Sequence, residues 1–145
     1  SISRSSNNFG PGQNREKLIP KTIWNALHGI EVPIYGDGLN VRDWIHADEH
    51  ARAVDMIIRS GRYGEIYNIG SRNEISNIAL VRHILEVLGK PCSMITYVPD
   101  RKGHDRRYAI NPGKISNELG FNAERMDFDN TILSYAASFG KLTDE

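Results

Sequence analysis

The stretch Asp100-Arg101-Lys102-Gly103-His104-Asp105-Arg106-Arg107 places five residues able to carry positive charge within seven positions. Arginine grips phosphate oxygens two at a time and lysine adds a point charge, so this loop is a candidate anion site. Its carboxylates, Asp100 and Asp105, temper the field and can orient the arginines or accept from sugar hydroxyls. The competing reading is a solvated charged loop. Tyr35 and Arg42 flank the turn Gly36-Asp37-Gly38, where a ring could stack on a base and a guanidinium could take phosphate. Asn7-Asn8 followed by Lys17 offers amides for hydroxyl groups and a cation for phosphate, against the plainer reading of an Asx turn and a surface lysine. Asn77 falls in the first turn of an amphipathic helix, where free N–H groups and the positive dipole end favour an anion; an ordinary first-turn residue is the alternative. Together these groups suit a ligand with a diphosphate and a flat or hydroxylated moiety, as in a nucleoside diphosphate sugar.

Three other patterns promise more chemistry than they can supply. His46-Ala47-Asp48-Glu49-His50 spells an inverted zinc-peptidase motif, but a cap at Asp48 would put His46 on the preceding strand and split the pair. Thr143-Asp144-Glu145 could move protons in a sugar enzyme, yet at the charged end of the chain it reads as a frayed tail. Gly36-Asp37-Gly38 and Gly10-Pro11-Gly12 both lack the third glycine of a dinucleotide cradle, having Val41 and Arg15 there.

The elements that must position these groups alternate between short helices and short β-rich runs, the pattern of an α/β domain. Ile19, Ile23 and Leu27 define a first helix, with Pro20 near its start and Gly29 at its end. Val32 to Tyr35 and Val41 to His46 read as strands. Asp48 is expected to cap a helix carrying Ala51, Val54, Ile57 and Ile58, and Ile66 to Ile69 reads as a strand. Ser76 caps a clearer helix with Ile78, Val81, Ile84, Leu85 and Leu88 on its buried face. Met94 to Val98 is β-like. Asn111-Pro112 starts a short helix that Gly120 closes, and Phe128, Ile132, Tyr135 and Phe139 give the last helix one apolar face. The opening, Ser1 to Phe9, reads as polar chain that could start inside a strand.

Composition narrows the classes. With 145 residues the length predicts one domain, large enough for a core. Eighteen basic and eighteen acidic residues cancel, which removes the broad attraction that non-specific nucleic-acid binding needs. Cys92 is the single cysteine, so neither an internal disulfide nor a thiolate zinc cage can form. No apolar run approaches the ~20 residues that cross a bilayer, and no signal-peptide pattern opens the sequence; the expectation is a cytoplasmic domain.

Four segments carry a resemblance. They are Ser6-Asn7-Asn8-Phe9-Gly10-Pro11 running on to Glu16-Lys17-Leu18-Ile19-Pro20; Val32-Pro33-Ile34-Tyr35-Gly36-Asp37-Gly38-Leu39-Asn40-Val41-Arg42-Asp43-Trp44; Tyr67-Asn68-Ile69-Gly70; and Asp100 through Tyr108. In order along nearly the whole chain, they resemble the C-terminal half of the dTDP-glucose 4,6-dehydratases, extended short-chain dehydrogenase/reductases. The resemblance implies an α/β substrate-binding domain over 1–145, a short mixed sheet with about five helices, and no Rossmann half. It implies that Asn7, Lys17 and Leu18 face substrate and that Asn8 touches NAD, which the other half mainly holds. It further implies that Pro33, Ile34 and Tyr35 hold the base end and that Arg42 and Asn77 hold the diphosphate. Asp100, Arg101, Gly103 and His104 would line the same site. Gln13-Asn14-Arg15 departs from a more apolar stretch usual in the family, and Lys102 stands in place of a proline.

The family's catalytic groups have no counterpart here: none of the six tyrosines is followed by lysine four residues later. In the family, NAD accepts hydride from sugar C4, water leaves across C5 and C6, and the hydride returns to C6. The chain alone is therefore expected to bind dTDP-glucose weakly, to hold no catalytic residue or metal, and not to turn over. Alternatives are half of a related epimerase or decarboxylase using a UDP- or GDP-sugar, or a stand-alone binding module. The family's usual homodimer forms through the absent half, and apolar surface around Val54, Ile57 and Ile58 would favour self-association of the chain alone.

Overall fold

A computed structural model describes residues 1–124 and 127–140; Thr143-Asp144-Glu145 lies outside the described residues. In chain order the elements are β1 (Ile2–Ser5), β2 (Asn7–Phe9), α1 (Leu18–Leu27), β3 (Val32–Tyr35), β4 (Val41–His46), α2 (Ala47–Ser60), β5 (Ile66–Ile69) and β6 (Glu74–Ser76). There follow α3 (Asn77–Val87), a 3-10 turn at Cys92–Met94, β7 (Ile95–Val98), β8 (Arg107–Tyr108), α4 (Gly113–Leu119) and α5 (Phe128–Gly140). The α/β class and the five helices match the sequence reading. The strands form three small sheets, and the pairs β1–β5, β2–β4, β3–β7 and β4–β8 all run parallel.

The chain divides into two compact units, each assembled from three separate stretches. Of the described residues, the first takes in 1–9, 41–75 and 107–124, and the second 10–40, 76–106 and 127–140. In the first unit Ile45, Ala53, Ile57, Tyr67, Ile69, Ile115 and Phe121 form the core. Complete burial of an isoleucine stabilises by roughly 1.5–3 kcal/mol, so this cluster holds β4, β5, α2 and α4 together. Tyr67 is buried with its hydroxyl satisfied: it donates to Glu118 Oε2 (3.1 Å) and accepts from the Arg62 N–H (3.0 Å). In the second unit Ala26, Val32, Ile34, Ile78, Val81 and Leu85 pack α1, β3 and α3 together. Ile132, Tyr135 and Phe139 are buried along α5, and the Tyr135 hydroxyl donates to Gln13 O (3.2 Å). The unusual Arg15 lies over Trp24, 4.1 Å from the ring centroid, so the stretch that departs from the family pattern is tied to α1.

Two helix starts differ from expectation. The α2 cap is His46, not Asp48: β4 runs directly into the helix and His46 Nδ1 accepts the Asp48 N–H (3.2 Å). Asp48 and Glu49 then occupy the first turn, where negative charge suits the dipole. At α4 the cap is Pro112 and Gly113 is the first helical residue, while Asn111 Oδ1 accepts the Gly113 N–H (2.8 Å). The other starts agree, including Ser76 at α3. Strands β2, β6 and β8 escaped the sequence reading, because each is two or three residues long and carries little apolar patterning. Of the apolar surface expected on α2, Ile58 is 77% exposed but Ile57 is buried in the core.

Candidate functional site

In the second unit the parallel pair β3–β7 places Tyr35 opposite Val98, so the turn after β3 and the loop after β7 leave the sheet side by side. Gly36 N–H donates to Val98 O (2.9 Å). A Cβ on Gly36 would lie 3.0 Å from the Asp100 carboxyl, and its φ of +57° also suits glycine. The loop then orders itself. Asp100 Oδ1 accepts the Arg101 N–H (2.8 Å) and lies 2.7 Å from His104 Nδ1, while His104 Nε2 lies 3.0 Å from Arg101 Nη2. Guanidinium nitrogen can only donate, so this geometry fits an imidazole with its proton on Nδ1, given to Asp100, and its acceptor turned to Arg101. The His104 side chain is 6% exposed. Arg101 in turn lies over the Tyr35 ring, 4.9 Å from its centroid. The His104 bond, with the Arg101 N–H second, draws the Asp100 carboxyl below the usual aspartate range.

The result is a planar cation stacked on an aromatic ring at the surface, with a carboxylate and an imidazole fixing its orientation. Such a platform can stack a flat base or take phosphate oxygens. The charge facing an anion is smaller than composition suggests. Arg106 is held by Asp37, Nη1 lying 2.8 and 3.0 Å from the two carboxylate oxygens. Arg107, in the first unit, makes a two-pronged contact with Glu74, each bond 2.6 Å. Arg101 and Lys102 remain as the loop's outward cations.

Other second-unit candidates divide. Pro33 is half-buried and Tyr35 exposed on one face of β3, but Ile34 is a core side chain and can offer a ligand only its backbone. Leu18 packs partly against the same core, while Lys17 is exposed at the α1 cap. Gly103 (φ +72°) forms the bend of the loop with open space around it. Asn77 is half-buried at the start of α3, and there the anion reading needs correction. The N–H groups of Asn77 and Ile78 donate to Asn40 O (3.0 Å) and Gly38 O (2.9 Å), and Ala79 N–H to Ser76 Oγ (3.4 Å). The turn after β3 uses these helix-end donors, so only the Asn77 side chain is left to meet a ligand.

In the first unit Asn7 and Asn8 lie on β2, paired with Trp44 and Ile45 of β4, the strand that carries Arg42. Asn8 Nδ2 donates to Ser5 Oγ (2.7 Å) and Ser6 O (3.2 Å), and Arg42 Nη1 donates to Val41 O (2.7 Å). Asn7 is half-buried. His46 is engaged as a helix cap and His50 lies a turn later on α2; among the described residues no group of three or more His, Cys, Asp or Glu could hold a metal. No helix among the described residues is long and apolar enough to cross a membrane. Asp37 and Asn40 are the residues that sequence reasoning passed over, and Arg106, read there as a free loop cation, is paired. Asp37 looked like a turn former, and its ion pair with a residue 69 positions away carries no local signal.

A family model described as GDP-mannose 4,6 dehydratase matches residues 1–134. The chain belongs to that family. Among members of the GDP-mannose 4,6 dehydratase family, it is 46% identical over 136 residues to a dTDP-glucose 4,6-dehydratase of an Actinoplanes species. That alignment takes in 94% of this chain and 42% of the relative, so the chain spans about two fifths of the relative's length. The crystal structure of DesIV, a dTDP-glucose 4,6-dehydratase from Streptomyces venezuelae with NAD bound, aligns with a TM-score of 0.91 and 43% identity. It covers 96% of this chain and 44% of that one. A UDP-glucose 4-epimerase from Thermotoga maritima, solved with UDP-glucose, aligns at 0.88 with 26% identity, over 98% of this chain and 46% of that one.

Proposed function

We propose that this chain is the nucleotide-sugar-binding part of a dTDP-glucose 4,6-dehydratase, a cytoplasmic enzyme that converts dTDP-glucose to dTDP-4-keto-6-deoxyglucose with NAD. The observation that carries this reading is the cluster of Tyr35, Arg101, His104 and Asp100, a preformed platform for a base and its phosphates. Pro33 lies with Tyr35 at the base end, and Ile34 contributes backbone. In the second unit the Asn77 amide serves the diphosphate, Lys17 the substrate, and Leu18 and Gly103 shape the walls; Arg42 and Asn7, in the first unit, are taken as diphosphate and substrate contacts from the family resemblance. Identity is higher to dTDP-glucose dehydratases than to the UDP-glucose epimerase, 46% against 26%, which favours the dehydratase over the epimerase reading.

NAD supplies a hydride acceptor when bound. From this chain only Asn8 faces that task, and its amide nitrogen is already engaged within its own segment, so the fit is a peripheral one. The bulk of the cofactor contacts belongs to the rest of a longer enzyme. What these residues do themselves is bind and orient the sugar nucleotide.

Titration calorimetry of the folded chain tests this. Weak binding of dTDP-glucose, tighter than that of UDP-glucose, is expected. Arg42→Ala should weaken it by about 1.5–3 kcal/mol, the worth of a hydrogen bond to a charged group. No heat of binding at millimolar dTDP-glucose, from a chain with native circular dichroism, would count against the reading.

A further inference from the structure

The Asp100–His104–Arg101 network fixes the shape of its loop, but a different set of contacts decides where that loop sits. The turn after β3 provides the seat. Gly36 receives the loop's start through Val98 O, and Asn40, buried at 2% exposure, donates from Nδ2 to Asp105 O (3.0 Å). Asp37, between Gly36 and Asn40 on the turn, holds Arg106, the residue after Asp105. Asp37 is itself fixed, because its Oδ1 also accepts the Leu39 N–H (2.9 Å) from its own turn. Only Arg106 then loses freedom when the pair forms, which favours a defined contact over a loose surface pair.

We propose that Asp37 is a positioning residue that, by gripping Arg106, seats the loop so that Arg101 stays over Tyr35. The role rests on the nucleotide reading of that platform, although the seating itself can be measured without a ligand. Both side chains are largely exposed, 53% for Asp37 and 62% for Arg106, so breaking the pair leaves the fold intact. Its loss instead lets the loop sample positions away from the turn, and the fraction of platforms competent for ligand falls.

Asp37→Asn keeps an acceptor for the Leu39 N–H and removes the charge, while Arg106→Gln removes the partner. Two readouts apply to the full 145-residue chain. Hydrogen exchange of the Asn40 side-chain amide, bonded to Asp105 O at 3.0 Å, reports the seating directly. Titration with thymidine diphosphate reports the platform. Each single variant should exchange and bind about 3-fold worse, the double variant no worse than either, and Arg106→Lys should recover part of the loss. Additive losses in the double variant, or Asn40 side-chain exchange unchanged in both singles, overturn the proposal. Absence of thymidine diphosphate binding by the unsubstituted chain would overturn the nucleotide reading alone, since the exchange measurement still decides the seating.

Discussion

Asp43 shows how much a single buried carboxylate organises in the first unit. It is 1% exposed and accepts from the Ser71 N–H (3.1 Å), the Ser71 hydroxyl (2.8 Å) and the Asn73 N–H (2.9 Å), wrapping the turn after β5 around its two oxygens. Gly70 makes room, because a Cβ there would lie 2.6 Å from Asp43 Oδ2. Asp43→Ala strands three donors at once and should destabilise by about 2–4 kcal/mol, read as a lower urea midpoint. Asp37 is the exposed counterpart. The Arg106 bond, ahead of the Leu39 N–H, lowers its pKa from 3.8, so the stabilisation it contributes is fully present above that value and is lost as pH falls through the lower folded value. Carboxyl chemical shifts should show Asp37 titrating below 3.8, and Arg106→Gln should move the midpoint back up; a midpoint that stays put contradicts the pairing. Residue types disclosed the candidates Tyr35, Arg101 and His104, because aromatic, guanidinium and imidazole groups carry recognisable chemistry. They did not disclose which cations were already paired, since Asp37 and Arg106 meet only through the fold.

At the scale of elements, α3 and the turn after β3 depend on each other. Gly38 lies at φ +71°, and a Cβ there would come 2.7 Å from Ile34 Cγ2 and 2.9 Å from Ile78 Cβ, while its carbonyl caps α3. Gly38→Ala thus combines left-handed strain with a clash in the core and should cost about 2–4 kcal/mol. Gly29→Ala in the same unit is the control. Its φ is +67° but nothing lies within 4 Å, so only the backbone cost of about 1 kcal/mol applies. Equal losses for the two variants in urea unfolding would show that the Ile34 and Ile78 contacts do not matter. Helices such as α3 were legible because Ile78, Val81, Ile84 and Leu85 repeat on one face and Ser76 caps them. The partner of β1 was not, since Ile2 to Arg4 are exposed and only the fold brings β5 beside them.

For the molecule as a whole, the sequence has no Tyr-x-x-x-Lys pair and spans 42% of its dehydratase relative, and the prediction for the chain alone is binding without turnover. Incubation of the purified chain with dTDP-glucose and NAD should yield no 4-keto sugar; product formation free of contaminating enzyme would sink that expectation. The family was legible from four ordered segments, because close-set turns such as Gly36-Asp37-Gly38 tolerate few substitutes. The division into two units was not, because each is stitched from stretches that alternate along the chain with no linker between them. That stitching bears on synthesis. Among the described residues Ile2 to Ser5 pair with Ile66 to Ile69, more than sixty residues later. Until Ile69 has left the ribosome this pairing cannot form, and the edge of β1 that will face β5 is a template for chaperones and for wrong pairing with neighbouring chains.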